Sequence, residues 1–250
     1  MSGQLRLQVA LARAGVASRR AAAETIEAGR VTVNGSVVRE PGQRVAATEE
    51  IRFDGELLSI EPLRYYALHK PRGVLSSASD DRGRPIVTKY LPDDAGRCVP
   101  VGRLDLDSEG LLLLSNDGPL IDGLLHPRSE LPREYLVELR GRPSDAALDR
   151  LYAGVELDDG AVVSGKPKRI RRPASKPDLS WIGITVREGR KREVRRMCEA
   201  IGHRVERLIR VRFGPIRLRE LEDGSIRPLT EHEVRLLYHH AGLGLEGGDA

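Results

Sequence analysis

The 250-residue chain predicts an α+β protein built in two unequal parts. Three observations predict it. Short β-branched runs closed by Asn34-Gly35 and Asp54-Gly55 mark tight hairpins near the N-terminus. Longer strand-like runs, YYALHK, LLLL, REYLVEL, WIGITV and RVERLIRVRF, recur after residue 64. An amphipathic helical pattern, KREVRRMCEAIGH, sits between the last two of them.

The first part reads as a small αβ module. In LRLQVALARA, Leu7, Ala10, Leu11 and Ala14 fall at helical spacing, and Gly15 follows as a stop. Ser18 is placed to cap a second helix, RRAAAETIEA, that ends before Gly29. VTV and SVV then flank Asn34-Gly35, and EEIRFDGELL folds back at Asp54-Gly55. Seven arginines (6, 13, 19, 20, 30, 39 and 44) stand against Glu24, Glu27 and Glu40 in residues 1–44. The module is expected to span 1–59, with 60–65 as a linker marked by Pro62.

The second part, 66–240, opens with a strand broken by Lys70-Pro71-Arg72-Gly73. Next comes GRLDLDSEGLLLLSNDG, with Asp105, Asp107 and Glu109 directly ahead of four leucines. The leucines read as a strand buried on both faces, so the acids lie in the loop entering it. A carboxylate there is costly to desolvate unless a cation or a substrate compensates. REYLVEL sets Tyr135, Val137 and Leu139 on one side of a strand. In the late helix Val194, Met197, Cys198 and Ile201 form the apolar face, bordered by Arg192, Arg195, Arg196 and Glu199. In the last long strand Val205, Ile209, Val211 and Phe213 are expected to face inward. Arg210 and Arg212 would share the other face with Leu208, an apolar residue suited to lie under a base. The Gly-rich end, 241–250, is expected to be disordered.

Composition narrows the function. Apolar residues make up 40% and charged residues 31%, and no apolar run nears the ~20 residues of a membrane span. The N-terminus carries arginines inside its apolar pattern and reads as a folded helix. Cys98 and Cys198 are too few for a disulfide framework and read as buried, reduced thiols of a cytoplasmic protein. Net charge is only +4, but residues 166–219 hold eighteen Lys and Arg against five Asp and Glu. Such asymmetry points to a polyanion, and here to nucleic acid.

Two resemblances emerge from these motifs. RLQVALARAGVASRRAAAETIEAGRVTVNG resembles the S4 RNA-binding domain, which implies that Arg6, Arg13, Ser18, Arg19, Arg20, Arg30 and Asn34 lie near an RNA backbone. HKPRG, GRLDLDSEGLLLLSNDG, REYLVEL and REGRKREVRRM, in that order, resemble the ribosomal RNA pseudouridine synthases of the RsuA and RluB type. That resemblance implies a mixed, mainly antiparallel central sheet flanked by helices, and isomerisation of a specific uridine. It implies Asp105 as the catalytic aspartate, Tyr135 stacked on uracil, Arg195 paired with Asp105, Leu208 lining the pocket and Arg103 holding the nucleotide backbone or the loop. The family pattern has His or Asn near Arg192 and Gln near Glu193, so this third motif departs in detail.

Isomerisation removes no electrons and activates no water, so no cofactor or metal is expected. Asp107 and Glu109 are read as loop and surface acids without a chemical role. The expected partner is ribosomal RNA, of the large subunit, within a pre-ribosomal particle; the protein is expected to be a monomer with no membrane attachment. Small-subunit RNA is the alternative substrate, and a non-catalytic S4-type assembly factor the alternative function. A DxD phosphotransferase is disfavoured because the apolar strand follows Asp105 and does not precede it, and a paired-carboxylate glycosidase leaves the basic segment unexplained.

Overall fold

The structure is a computed structural model that describes residues 5–14, 16, 19–46, 48–59 and 61–244. The expected stop at Gly15 and cap at Ser18 lie outside the described residues, as do the side chains of Arg13, Arg19 and Arg20.

The N-terminal module contains β1 (Leu5–Arg6), α1 (Leu7–Arg13), α2 (Arg19–Glu27), β2 (Val31–Val33), β3 (Ser36–Val38), β4 (Arg44–Val45), β5 (Ile51–Phe53) and β6 (Glu56–Leu57). Both hairpins form as the dipeptides require. Asn34 and Gly35 take φ of 50° and 81°, and Asp54 and Gly55 take 49° and 85°, the left-handed values of a type I′ turn. Leu7, Leu11, Ala22, Ile26, Val31 and Ile51 share one small core.

The larger part runs β7 (Tyr65–Lys70), β8 (Val99–Pro100), β9 (Glu109–Ser115), α3 (Gly118–Leu125), β10 (Arg133–Arg140), α4 (Asp145–Ala153), β11 (Val155–Glu156) and β12 (Val162–Val163). It continues with β13 (Lys166–Arg169), β14 (Leu179–Val186), α5 (Glu193–Ala200), β15 (Val205–Phe213), β16 (Ile216–Arg217), β17 (Ile226–Pro228) and α6 (Glu231–His240). The main sheet has the order β13-β14-β10-β15-β9-β7-β17. All its neighbours pair antiparallel except β15 with β9, so the sheet is mixed and mainly antiparallel.

Two core layers sandwich the sheet. Leu112, Leu114, Tyr135, Val137 and Leu139 pack on one side with Leu148 and Leu151 of α4 and Val194, Met197 and Cys198 of α5. Leu111, Leu113, Trp181, Ile209 and Phe213 pack on the other with Leu120 and Leu124 of α3 and Leu237 of α6. β9 is therefore buried along its whole length, as its four leucines require. At ~1.5–3 kcal/mol each, those side chains anchor the strand that carries the acidic loop. Ala241 and Leu243 also pack against the second layer, inside the segment expected to be a disordered tail, whose residues 245–250 lie outside the described ones.

β15 corrects a simple alternation. Its pairing with β10 shifts register between Glu134 and Tyr135 and between Glu138 and Leu139. The second shift leaves Glu206 as an extra residue and reverses the facing of Val205 beyond it, whereas Ile209, Val211 and Phe213 all stay with the second layer. Val205 consequently joins Leu208 in the first layer and not Ile209 in the second. Arg210, expected on a wet basic face, is only 2% exposed.

Candidate active site

The acidic loop enters β9 through Gly110, whose φ is +105° and whose Cβ, if present, would sit 2.3 Å from the Arg210 carbonyl oxygen. Only glycine permits that approach, and it is what lets β9 run parallel beside β15. The loop is held from its other side by the HKPRG segment. The Gly73 N–H donates to the Leu106 carbonyl at 2.8 Å. Ser76 Oγ donates to the Leu104 carbonyl at 2.8 Å and accepts from the Leu104 N–H at 3.0 Å.

Beneath the loop lies Lys70, fully buried, its Nζ donating to the Pro71 and Val74 carbonyls at 2.8 and 2.7 Å. Burial pushes this ammonium down to about 8, against the opposing pull of Glu109, Asp107 and Asp105. Sequence reading missed it, although Tyr66, Leu68 and Lys70 share the parity of one strand face and the first two lie in the first core layer.

Each of the three acids meets a different environment. Glu109 accepts from Arg207 Nη2 at 2.7 Å and Nε at 3.2 Å. Asp107 Oδ2 lies 3.2 Å from Arg195 Nη2, which also donates to the Asp107 carbonyl at 3.0 Å. Arg192 Nη1 reaches Asp107 at 3.3 Å and stands 3.9 Å from Asp105. Asp105, with its side chain about one-third exposed (34%), opens into a cleft of about 1240 Å³.

Two expectations change here. The direct partner of Arg195 is Asp107 and not Asp105, and Arg195 itself, 5% exposed, does not line the cleft. Asp107, read as a plain loop acid, is the group that receives the buried guanidinium. The cause is the placement of α5: its apolar stripe sits in the core, so Arg195 beside that stripe is buried, while Arg192 at the helix start has its side chain 42% exposed. Burial lowers the Arg195 pKa, and Asp107 followed by Asp105 opposes this.

The other expected residues do converge on the cleft. Arg103, Tyr135 and Leu208 line it with Asp105. Arg103 is exposed, whereas Tyr135 and Leu208 are 8% and 4% exposed. Tyr135 pairs across the sheet with Arg210, whose Nε donates to the Leu111 carbonyl at 2.8 Å and whose Nη2 is buried without a hydrogen-bond partner. Arg192 takes φ 51°, a left-handed conformation at the start of α5. Glu193, in the position noted for Gln, is buried and accepts from the Gly189 N–H at 2.8 Å; burial raises its pKa. Arg84, Arg133, Arg190 and Lys191 add positive charge around the same cleft.

In the small module Arg6 is exposed. Arg30 is engaged by Asp54, its Nε at 2.9 Å, and lies over the Phe53 ring at 4.7 Å. Asn34 bridges to Glu49 and to the Glu50 N–H. Both cysteines are buried, their thiols pushed up to about 12 by burial. Among the described residues no group of three or more His, Cys, Asp or Glu side chains is arranged to hold a metal, and no helix is long and apolar enough to cross a membrane.

Comparison with known proteins agrees with this architecture. Residues 64–200 match the RNA pseudouridylate synthase family and residues 5–51 match the S4 domain. The chain is 44% identical over 232 residues to ribosomal large subunit pseudouridine synthase B of Bacillus subtilis, covering 93% of this chain and 95% of that one. It is also 44% identical over 221 residues to the protein of the same name from Escherichia coli O157:H7, covering 85% and 75%. A crystal structure of a pseudouridylate synthase superposes with a TM-score of 0.65 at 31% identity, over 93% of this chain and 99% of that one. With a carboxylate opening into a basic cleft beside a buried tyrosine, and these matches over nearly its whole length, the chain belongs to the RNA pseudouridylate synthase family and carries an N-terminal S4 domain.

Proposed function

We propose that the protein converts a uridine of large-subunit ribosomal RNA to pseudouridine, with Asp105 as its catalytic residue. The observation that carries this reading is the convergence of Asp105, Tyr135, Leu208 and Arg103 on one cleft from two strands and a loop. The two relatives named for large-subunit RNA support the choice of substrate.

The reaction breaks the C1′–N1 bond, turns the uracil, joins C1′ to C5, and moves the C5 proton off as N1 gains one. Nothing is oxidised or reduced, so the chain's own groups suffice. Asp105 acts as nucleophile or base on the extruded nucleotide. Tyr135 stacks on the uracil and Leu208 closes the opposite side, excluding water. Arg103, on the rim, holds a phosphate of the flipped nucleotide. Arg195 serves through Asp107: it fixes the loop backbone and contributes positive charge beneath Asp105, while Arg192 does so from the mouth.

The S4 module, residues 1–59, tethers the enzyme to structured RNA through Arg6, Arg13, Ser18, Arg19, Arg20, Arg30 and Asn34. Residues 60–65 link it to a catalytic domain spanning 66–240. On this reading the protein is a cytoplasmic monomer acting on pre-ribosomal particles. The test is to map modified uridines in ribosomal RNA from cells with and without this protein. One large-subunit position should lose its modification; an unchanged map, or a change confined to small-subunit RNA, overturns the reading.

A further inference from the structure

Much of the basic segment seen in the sequence lies away from the cleft. Between residues 166 and 176 stand Lys166, Lys168, Arg169, Arg171, Arg172 and Lys176, with no acid among them. They belong to β13, the edge strand of the sheet, and to the loop after it. That loop, the end of β10 and the start of β14 enclose a second groove of about 580 Å³. Arg142, Arg169, Arg171 and Arg172 line it beside Trp181, and Asp178 is the one acid in its wall.

The groove has a fixed frame. The Ser175 N–H donates to the buried carboxylate of Glu138 at 2.6 Å, and Trp181 Nε1 donates to the Pro173 carbonyl at 3.1 Å. Arg172 lies over the Trp181 ring at 4.7 Å, and Arg169 is tied to Asp145 and to the Pro143 carbonyl. Arg142 and Arg171 are exposed and have no ion-pair partner among the described residues.

We propose that this groove is a second RNA-binding site, which takes the phosphodiester backbone flanking the target uridine. Guanidinium forks match phosphate oxygens, and a phosphodiester chain presents one charge per nucleotide to a row of them. The site rests on the RNA-modifying function proposed above and adds a reach to it. Arg142 lies seven positions along the chain from Tyr135, on extended strand for most of that distance. At ~3.3 Å per residue this is roughly 23 Å, or about seven stacked nucleotides at ~3.4 Å each. An RNA engaged at both places must therefore extend well beyond the modified nucleotide.

The test compares the Arg142→Gln/Arg171→Gln protein with the parent on two RNAs. One is a short hairpin holding the target uridine; the other is the same hairpin with its flanking helix lengthened by ten base pairs. On the long RNA the slope of log K against log salt should fall by about 1.4–1.8 in the double variant, the loss of two phosphate contacts. On the short hairpin the two proteins should bind alike and form pseudouridine at equal rates. Equal slopes and affinities on the long RNA overturn the proposal, and so does an equal loss on both RNAs. A parent that binds but forms no pseudouridine overturns the proposed function instead, and the groove is then judged on binding alone.

Discussion

Replacing Arg195 by Met probes the support of the acidic loop, because Met keeps the apolar stem and deletes the charge. Arg195 Nη2 holds the Asp107 carbonyl at 3.0 Å and the Asp107 carboxylate at 3.2 Å, and Nη1 reaches the Val205 carbonyl at 3.4 Å. A buried hydrogen bond from a charged donor contributes ~1.5–3 kcal/mol. The carboxylate contact is worth less, about 0.2–1 kcal/mol, because Asp107 is 36% exposed and Arg192 also serves it. Relief of the buried charge offsets part of the loss. The net cost should be about 1–3 kcal/mol, or roughly 2–12 °C in Tm for a domain of this size. Turnover should fall further, by around 10²-fold, because the loop that aims Asp105 loses its anchor. Arg195→Lys should fall between the two in both readouts, since one ammonium cannot replace both Nη2 at Asp107 and Nη1 at the Val205 carbonyl. Thermal unfolding and single-turnover release of tritium from 5-tritiated uridine in RNA measure these. In a cycle with Asp107→Asn, which leaves the backbone carbonyl in place, the coupling should be about 0.2–1 kcal/mol, that of the carboxylate contact alone; a Met protein with parental Tm and turnover would refute the reasoning.

The same geometry sets other outcomes. Lys70 has a depressed pKa in the folded state, about 8 against 10.5, so the folded protein binds fewer protons than the unfolded chain across that window. Stability should therefore rise by about 2–3 kcal/mol between pH 8 and 10.5, relative to Lys70→Met; urea unfolding in which the two proteins keep a constant difference contradicts this. Gly110→Ala should cost about 3 kcal/mol or more, because the new Cβ meets the Arg210 backbone at 2.3 Å with φ at +105°; an unchanged Tm rules that out. Tyr135→Phe should keep RNA affinity, whereas Tyr135→Ala should lose about 1–3 kcal/mol of it, as stacking predicts. Equal affinities for the three proteins in a binding titration would remove stacking from the account.

The elements most legible in the sequence were those fixed by local chemistry. Asn34-Gly35 and Asp54-Gly55 turned where the left-handed region demanded. Four leucines made a strand buried on both faces, and Val194, Met197, Cys198 and Ile201 made one apolar helix face. Convergence of Asp105, Tyr135 and Leu208 on one cleft came only with the family resemblance, since nothing local joins residues a hundred positions apart. Tertiary pairing lay beyond local pattern. A bulge changed the facing of Val205, and the face that Arg210 shares with Leu208 lies against Tyr135 and Val137 in the first core layer, which buries it. The identity of Arg195's partner depended on which loop acid the buried guanidinium meets, a choice between Asp105 and Asp107 that spacing leaves open. Lys70 was legible from strand parity, but its charge argued for the surface, and the carbonyls of Pro71 and Val74 that accommodate it belong to a turn with no sequence signature for that role.

The central claim is that the Asp105 carboxylate performs the chemistry in the cleft. Asp105→Asn preserves size and polarity and removes the negative charge, so it separates reaction from binding. With a ribosomal RNA substrate labelled with tritium at uridine C5, the Asn protein should bind within about twofold of the parent and release no tritium on prolonged incubation. Pseudouridine formed by the Asn protein at a measurable rate would contradict the account.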